Sequence, residues 1–167
     1  MLRASSVVRK ADRKNRIAVD TITLDRSARH RRRVVLKSDR GHEILLDLAE
    51  ATYLADGDAL ALDNGALVLV KAAAEPLLEI HAHDAASLAR IAWHIGNRHT
   101  ACEVTAHALY IQPDHVLEDM VIGLGAHVHH VSRPFEPEGG AYGHKSALAE
   151  RPHGHGHSHG PGGHSHD

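Results

Sequence analysis

The chain has 167 residues, of which 43% are hydrophobic and 24% are charged, so it can bury an aliphatic core as one domain or two small ones. Its net charge of −2 with neutral histidine, and an aromatic content of 3%, argue against nucleic-acid binding, which depends on a basic surface. The absence of a run of about 18 apolar residues excludes a membrane-spanning helix, and the lone Cys102 excludes an intramolecular disulfide.

Residues 1–75 are predicted to form a small all-β domain. Short runs rich in Val, Ile and Leu alternate with turn sequences such as Asp39-Arg40-Gly41, and Asp63-Asn64-Gly65 between two such runs is a strong hairpin signal. The predicted strands are residues 17–24, 33–37, 43–48, 59–62 and 66–71. Their regular spacing favours a small barrel or sandwich.

Residues 76–132 are predicted to form a second domain that mixes helices and strands. After a strand at 77–82, Asp84 is a plausible N-cap for a helix that ends at Gly96. Two strands follow at 101–105 and 108–112, then a helix capped by Asp114 and a last strand at 126–131. The apolar positions with helical spacing are Leu88, Ile91, Ala92 and Ile95 in the first helix, and Val116, Leu117, Met120, Val121 and Leu124 in the second. The order β-α-β-β-α-β is typical of a ferredoxin-like unit, so the predicted fold class is α+β.

The end of the chain has a composition that predicts disorder and metal binding. Residues 133–150 contain three glycines and two prolines and are predicted to be a linker. Residues 151–167 contain almost only His, Gly, Ser and Pro, so they cannot bury enough apolar surface to fold. The tail histidines are His153, His155, His157, His159, His164 and His166. Imidazole suits nickel, copper, zinc and cobalt, so a metal-binding tail is favoured; an expression tag is the alternative, although such tags are usually uninterrupted.

Several histidines of the folded part are candidate metal ligands. His94 falls in the last turn of the first predicted helix, His99 lies just beyond that helix, and His115 begins the second. His127 and His129 are expected to share one face of the last strand, with His130 on the other. Each of these histidines also has a plain structural interpretation as a solvated or helix-capping side chain. None completes a site within one protomer, but a two-fold dimer would bring two copies of His99 together.

Two other features have both a functional and a structural interpretation. The basic stretch 26–33 is either a solvated strand edge or a docking surface for an acidic protein. Cys102 is favoured as a small buried hydrophobic residue over a metal ligand. The chain shows no glycine-rich phosphate loop. The single cysteine, and a start without a secretory apolar region, predict a cytoplasmic location.

Five segments occur in an order that resembles the UreE family of urease accessory nickel chaperones. They are Leu24-Asp25-Arg26 with the basic stretch, residues 54–58 with the following hairpin, residues 93–99 (W-H-I-G-N-R-H), residues 114–120 (D-H-V-L-E-D-M) and residues 133–142. Each segment alone is weak evidence. Together with the His-rich end they are specific, and the resemblance covers roughly residues 17–144 and the tail.

The resemblance implies a fold, a metal and partners. It implies an N-terminal domain that docks partner proteins and a C-terminal domain that forms a homodimer and binds nickel, with His99 at the dimer interface. His94 and His115 match peripheral metal positions of some members, but Pro113 stands where those members have another histidine. The resemblance also implies that the protein is not an enzyme, and that nickel passes from it to a GTPase of the UreG type and then to apo-urease. Ligand chemistry alone would also allow zinc, copper or cobalt.

Three other functions remain open from the residues alone. A histidine-rich protein can store or buffer metal with no delivery role. A histidine-ligated metallohydrolase is disfavoured because no general base and no closed ligand set are apparent. A metal-responsive DNA-binding protein is disfavoured further, since no helix-turn-helix pattern is present.

Overall fold

A computed structural model describes residues 1–139 of the chain. The predictions for the tail at 151–167 and for residues 140–150 lie outside this part. The strands are β1 (Leu2–Val8), β2 (Asp20–Leu24), β3 (His30–Lys37), β4 (Glu43–Tyr53), β5 (Ala59–Leu62), β6 (Leu67–Ala72), β7 (Ala74–His81), β8 (Glu103–Val104), β9 (Leu109–Ile111) and β10 (His127–Pro134). The helices are α1 (Ala85–Asn97) and α2 (His115–Gly123).

The first six strands form one sheet in the order β2-β6-β5-β1-β4-β3. Alternate residues of β4 face a core of aliphatic side chains; Ile44, Leu46 and Leu48 are buried and their neighbours are not. The alternation explains why β4 was predictable, because period two matches a half-buried strand. By contrast β1 was not predicted, since Ala4 is the only buried residue in it.

The predicted start of the first strand at residue 17 is wrong. Ile17 is 87% exposed and Val19 is 53% exposed, and β2 begins only at Asp20. These two apolar residues extend the hydrophobic run without contributing to the core. A β-branched run was therefore insufficient evidence for strand pairing here.

The second sheet is antiparallel, in the order β10-β7-β9-β8. Leu78 and Ile80 of β7 pack with Ile91 and Ile95 of α1 and with the buried residues of α2. Helices on one face of a four-stranded sheet, in this order, give the ferredoxin-like arrangement. The predicted α+β fold, an all-β domain followed by a ferredoxin-like domain, is confirmed.

Both predicted helix starts are confirmed, but the predicted buried face of α2 is wrong in part. The carboxylate of Asp84 accepts a hydrogen bond from the Ser87 backbone, as an N-cap does. In α2, Leu117 and Val121 are buried, but Val116 is 55% exposed and Leu124 is 37% exposed. With nine residues, α2 is short, and its buried stripe is narrower than the apolar pattern predicted.

A buried arginine joins the two sheets. Arg29, from the predicted basic stretch, is fully buried, and its guanidinium donates to Glu136 Oε1 at 2.9 Å and to the Tyr53 hydroxyl at 2.7 Å. It also donates to the backbone carbonyl of Phe135, a residue that is itself fully buried. The basic stretch is thus not uniformly solvated. Since β10 runs to Pro134, residues 133–136 belong to the folded part and not to a linker.

Among residues 1–139, no helix is long and apolar enough to cross a membrane.

Candidate metal-binding site

His99 lies immediately beyond the C-terminal end of α1. Arg98 is the C-cap, and the His99 backbone N–H donates to the Gly96 carbonyl at 3.0 Å. His99 has φ of 54°, in the left-handed region that residues other than glycine rarely adopt. This backbone turn leaves the residue exposed at the helix end. A left-handed residue directly after the C-cap is a common way for a helix to end, so this conformation places the His99 side chain at the exposed helix terminus.

His94 lies one turn earlier, in the last turn of α1. Its side chain is half-buried, and the Trp93 ring meets it edge-on with the ring centroids 5.0 Å apart. The carboxyl end of a helix favours a cation, so this position suits a metal-bound imidazole. Trp93 itself is 62% exposed, which is unusual for the single tryptophan of a chain.

His115 is the first residue of α2 and is exposed. The Asp114 carboxylate caps the helix by accepting from the Val116 and Leu117 backbone N–H groups, at 2.9 and 3.0 Å. The end of α1 contacts α2 through Arg98 Nε, which lies 3.0 Å from the Met120 sulfur. The two helices thus present His94, His99 and His115 on one layer of the domain.

The three predicted ligands do not form a closed site within one protomer. Across the described part of the chain, no three His, Cys, Asp or Glu side chains are grouped closely enough to hold a metal ion. The helix layer does expose apolar side chains, namely Trp93, Val116, Ile122 and Leu124. An exposed apolar surface beside an incomplete ligand set is the arrangement expected where a second molecule completes the site.

Cys102 lies half-buried at the start of the β8 segment and packs against the ferredoxin-like core. Burial raises the pKa of its thiol to about 11. Burial thus makes the thiol harder to deprotonate, and a thiol must lose its proton to bind a metal. These surroundings favour the predicted structural role over ligation.

Two of the candidate histidines of the last strand meet two residues that the sequence did not single out, on the sheet face opposite the helices. We name Glu79, His81, His127 and His129 the histidine face. In the β7–β10 ladder His81 pairs with His127 and Glu79 pairs with His129. His81 Nε2 lies 2.7 Å from Glu79 Oε1, and this hydrogen bond holds the pKa of the Glu79 carboxyl below its usual value. The alternation of His127 and His129 was visible in the sequence, but their partners on β7 depend on strand register.

Comparison with known proteins covers both domains. Residues 6–73 match the family model for the N-terminal domain of the UreE urease accessory protein, and residues 75–166 match the model for its C-terminal domain. The chain is 49% identical over 167 residues to the urease accessory protein UreE of Chelativorans sp. (strain BNC1), covering 100% of this chain and 98% of that protein.

Two further relatives bear the same name. The protein of Azorhizobium caulinodans is 53% identical over 160 residues, covering 92% of this chain and 76% of the relative. That of Paracoccus denitrificans is 51% identical over 123 residues, covering 74% of this chain and 77% of the relative. With matches that span both domains and identities near one half, the chain belongs to the UreE urease accessory protein family.

Proposed function

We propose that this protein is a nickel metallochaperone that delivers nickel for assembly of the urease active site. Family membership supports a role in urease maturation. The 18 histidines of the chain supply the ligand type that nickel accepts, and their concentration near the end of the chain favours capture of a soluble ion.

The central element of the proposal is a nickel ion held by His99 of two protomers in a homodimer. The observation that carries it is that His99 is exposed at the end of α1, in a helix layer that also exposes the apolar side chains of Trp93 and Val116. A two-fold contact through this surface uses the same patch on both protomers, so each residue near the axis meets its own copy. An ion with two imidazole ligands and open positions exchanges ligands easily, which suits transfer more than catalysis.

His94 and His115 are proposed as peripheral ligands near the same helix ends. Pro113 removes the histidine that would complete a pair with His115, so this position is expected to bind more weakly than His99. The tail histidines are proposed to collect ions and to raise their local concentration, because tethering makes transfer to the folded part effectively intramolecular.

The proposed partners are a GTPase of the UreG type and apo-urease, with the N-terminal domain as the docking unit. Strand β3 is an edge of the first sheet, and its Arg31 and Arg32 are exposed. Exposed arginines on an edge strand prevent sheet-to-sheet pairing and also offer contacts to an acidic protein. A storage protein would need no such partner, so capture of the GTPase or of urease subunits distinguishes delivery from buffering.

The test of the interface site is substitution of His99 in a urease activation assay. Both His99→Ala and His99→Asn are expected to abolish activation while the circular dichroism spectrum stays unchanged. Asn tolerates the left-handed conformation better than Ala, so His99→Asn removes the imidazole with less effect on the backbone. His107→Asn, at an exposed histidine outside the proposed nickel sites and the proposed docking strand, is the matched control. Normal activation by both His99 variants would exclude His99 from the mechanism.

The test of the tail is deletion of residues 151–167 followed by calorimetric nickel titration. We expect fewer ions bound in total, with one site per dimer retained. Because protons compete with metal for imidazole, binding should weaken below about pH 6 in both forms. A shortened chain that binds no nickel would show that the folded part contains no site of its own.

A further inference from the structure

We propose that the histidine face is a second metal site, built within one protomer, for a divalent transition-metal cation that prefers imidazole ligands. It lies on the open face of the second sheet, whereas His94, His99 and His115 lie with the helices on the opposite side. The inference does not depend on nickel delivery to urease, because it concerns binding by these side chains alone.

The strand register fixes the spacing of the four groups. The β7–β10 ladder places His81 directly opposite His127 and Glu79 directly opposite His129. Directly opposed residues of an antiparallel pair have Cβ atoms about 4.5–5.5 Å apart. This ladder pairs all eight residues of β10 with β7, so the backbone that carries the ligands is well anchored.

The separation of the imidazole rings also fits a shared ion. The centroids of His81 and His129 are 5.9 Å apart, and those of His127 and the adjacent His83 are 5.5 Å apart. Two imidazoles on one ion, with metal–nitrogen bonds of about 2.0–2.1 Å, have centroids about 5–6 Å apart. The rings are thus at ligation distance, although they are edge-on to one another and do not yet converge on a point.

The hydrogen bonding of His81 also suits a metal ligand. Its Nδ1 lies 3.2 Å from the His107 carbonyl oxygen, while its Nε2 lies 2.7 Å from the Glu79 carboxylate. Both neighbours are acceptors, but a neutral imidazole has only one N–H to donate. The imidazolium form donates to both acceptors at once, which is the arrangement of the hydrogen bond to Glu79. When Nδ1–H donates to the carbonyl, a divalent cation can take the place of the Nε2 proton between the ring and the carboxylate. A backbone carbonyl on the other ring nitrogen is the usual outer partner of a metal-bound histidine.

The four side chains need only small movements to form the site. Within residues 1–139 no three-ligand set is already assembled, so the ligands must rotate into place. His127 and His129 are exposed and the His81 side chain is 39% exposed, so side-chain rotation suffices. The expected set is His81, His129 and Glu79, with His127 or water in the fourth position.

The experiment is a Ni²⁺ titration of the full-length chain after removal of the other high-capacity sites. In a background chain, His99 and the six tail histidines are replaced by Asn. This chain is expected to bind one Ni²⁺ per protomer at the histidine face before any Ni²⁺ binds weakly at His94 and His115. Adding His129→Asn should lower the affinity at least tenfold, whereas adding His30→Asn, also at an exposed strand histidine, should change nothing.

Two outcomes would overturn the proposal: no Ni²⁺ binding by the background chain, or equal binding by the His129→Asn and His30→Asn forms. Equal binding would assign the residual ion to other histidines. If His129→Asn lowers the melting temperature, the titration uses His127→Asn instead, and NMR spectra of the imidazole rings identify the ligands. Substoichiometric Ni²⁺ should then broaden the ring signals of His81 and His129 before those of His94 and His115, and the reverse order would refute the site. The His99 activation assay is separate, so either proposal can fail alone.

Discussion

Replacement of Arg29 should destabilise the protein more than that of any neighbouring arginine. In Arg29→Ala the buried carbonyls of Phe135 and Leu54 lose a donor, and Glu136 loses its ion-pair partner. Breaking a buried ion pair from one side costs about 3–5 kcal/mol. The Glu136 side chain is 35% exposed and keeps hydrogen bonds from the Tyr53 hydroxyl and the Asp56 backbone, so water and these donors compensate part of the loss. We therefore expect about 3 kcal/mol, the lower end of that range.

Urea unfolding followed by circular dichroism measures this effect. With a denaturant slope of about 2 kcal/mol per molar, a loss of about 3 kcal/mol lowers the midpoint by about 1.5 M. Arg32→Ala, at an exposed position of β3, is the control and should shift the midpoint little. The double variant Arg29→Met/Glu136→Gln should lose less than the sum of its single variants, because the two side chains interact. An Arg29→Ala midpoint equal to that of Arg32→Ala would refute the role of Arg29 in joining the sheets.

Two further predictions concern carboxylates that organise the chain. Asp114→Ala removes the N-cap that precedes His115 and should lower the free energy of unfolding in urea by about 1 kcal/mol. Asp119→Ala, at an exposed position of the same helix, is the control and should lower it little. Equal losses of stability in the two variants would contradict the capping role. A hydrogen bond from Ser38, with another from His42, lowers the pKa of Asp20 from 3.8 to about 2. The carboxylate thus stabilises the fold above about pH 4, and this contribution disappears as the pH falls through about 2. Asp20→Asn should therefore have a lower urea midpoint than the wild type at about pH 6, and the difference should vanish near pH 2; a difference that persists there would exclude titration of Asp20 as its cause.

The sequence was informative where one face of an element is buried. Period-two alternation predicted β4, and helical spacing after Asp84 predicted α1 with Ile91 and Ile95 inward. Near residue 76 the spacing of apolar residues changes from short strand-like runs to a pattern that includes helical spacing. This change separated the all-β domain from the α+β domain and allowed the fold class to be predicted. Each of these signals is local, since burial of one face follows from the hydrophobic pattern of a single segment.

What the sequence could not reveal depends on contacts between distant segments. The fully buried Arg29 lies in a stretch with four other arginines, and only the fold distinguishes it from its exposed neighbours. Strand β1 has almost no buried residue of its own and is held by pairing with β4 and β5. The histidine face likewise requires the β7–β10 register, in which residue 79 meets residue 129. None of these pairings has a signature within a window of ten residues.

The proposed arrangement of the interface site links nickel binding to dimerisation. If the two ligands come from two protomers, a monomer offers only one His99 and binds the ion weakly. By linkage, nickel then strengthens dimerisation by the same factor by which dimerisation strengthens nickel binding. The histidine face, in contrast, draws all its ligands from one protomer and carries no such linkage. Dilution should therefore release nickel from the interface site and leave it on the histidine face. A chain with both sites can hold an ion whatever its oligomeric state and present it for transfer only as a dimer.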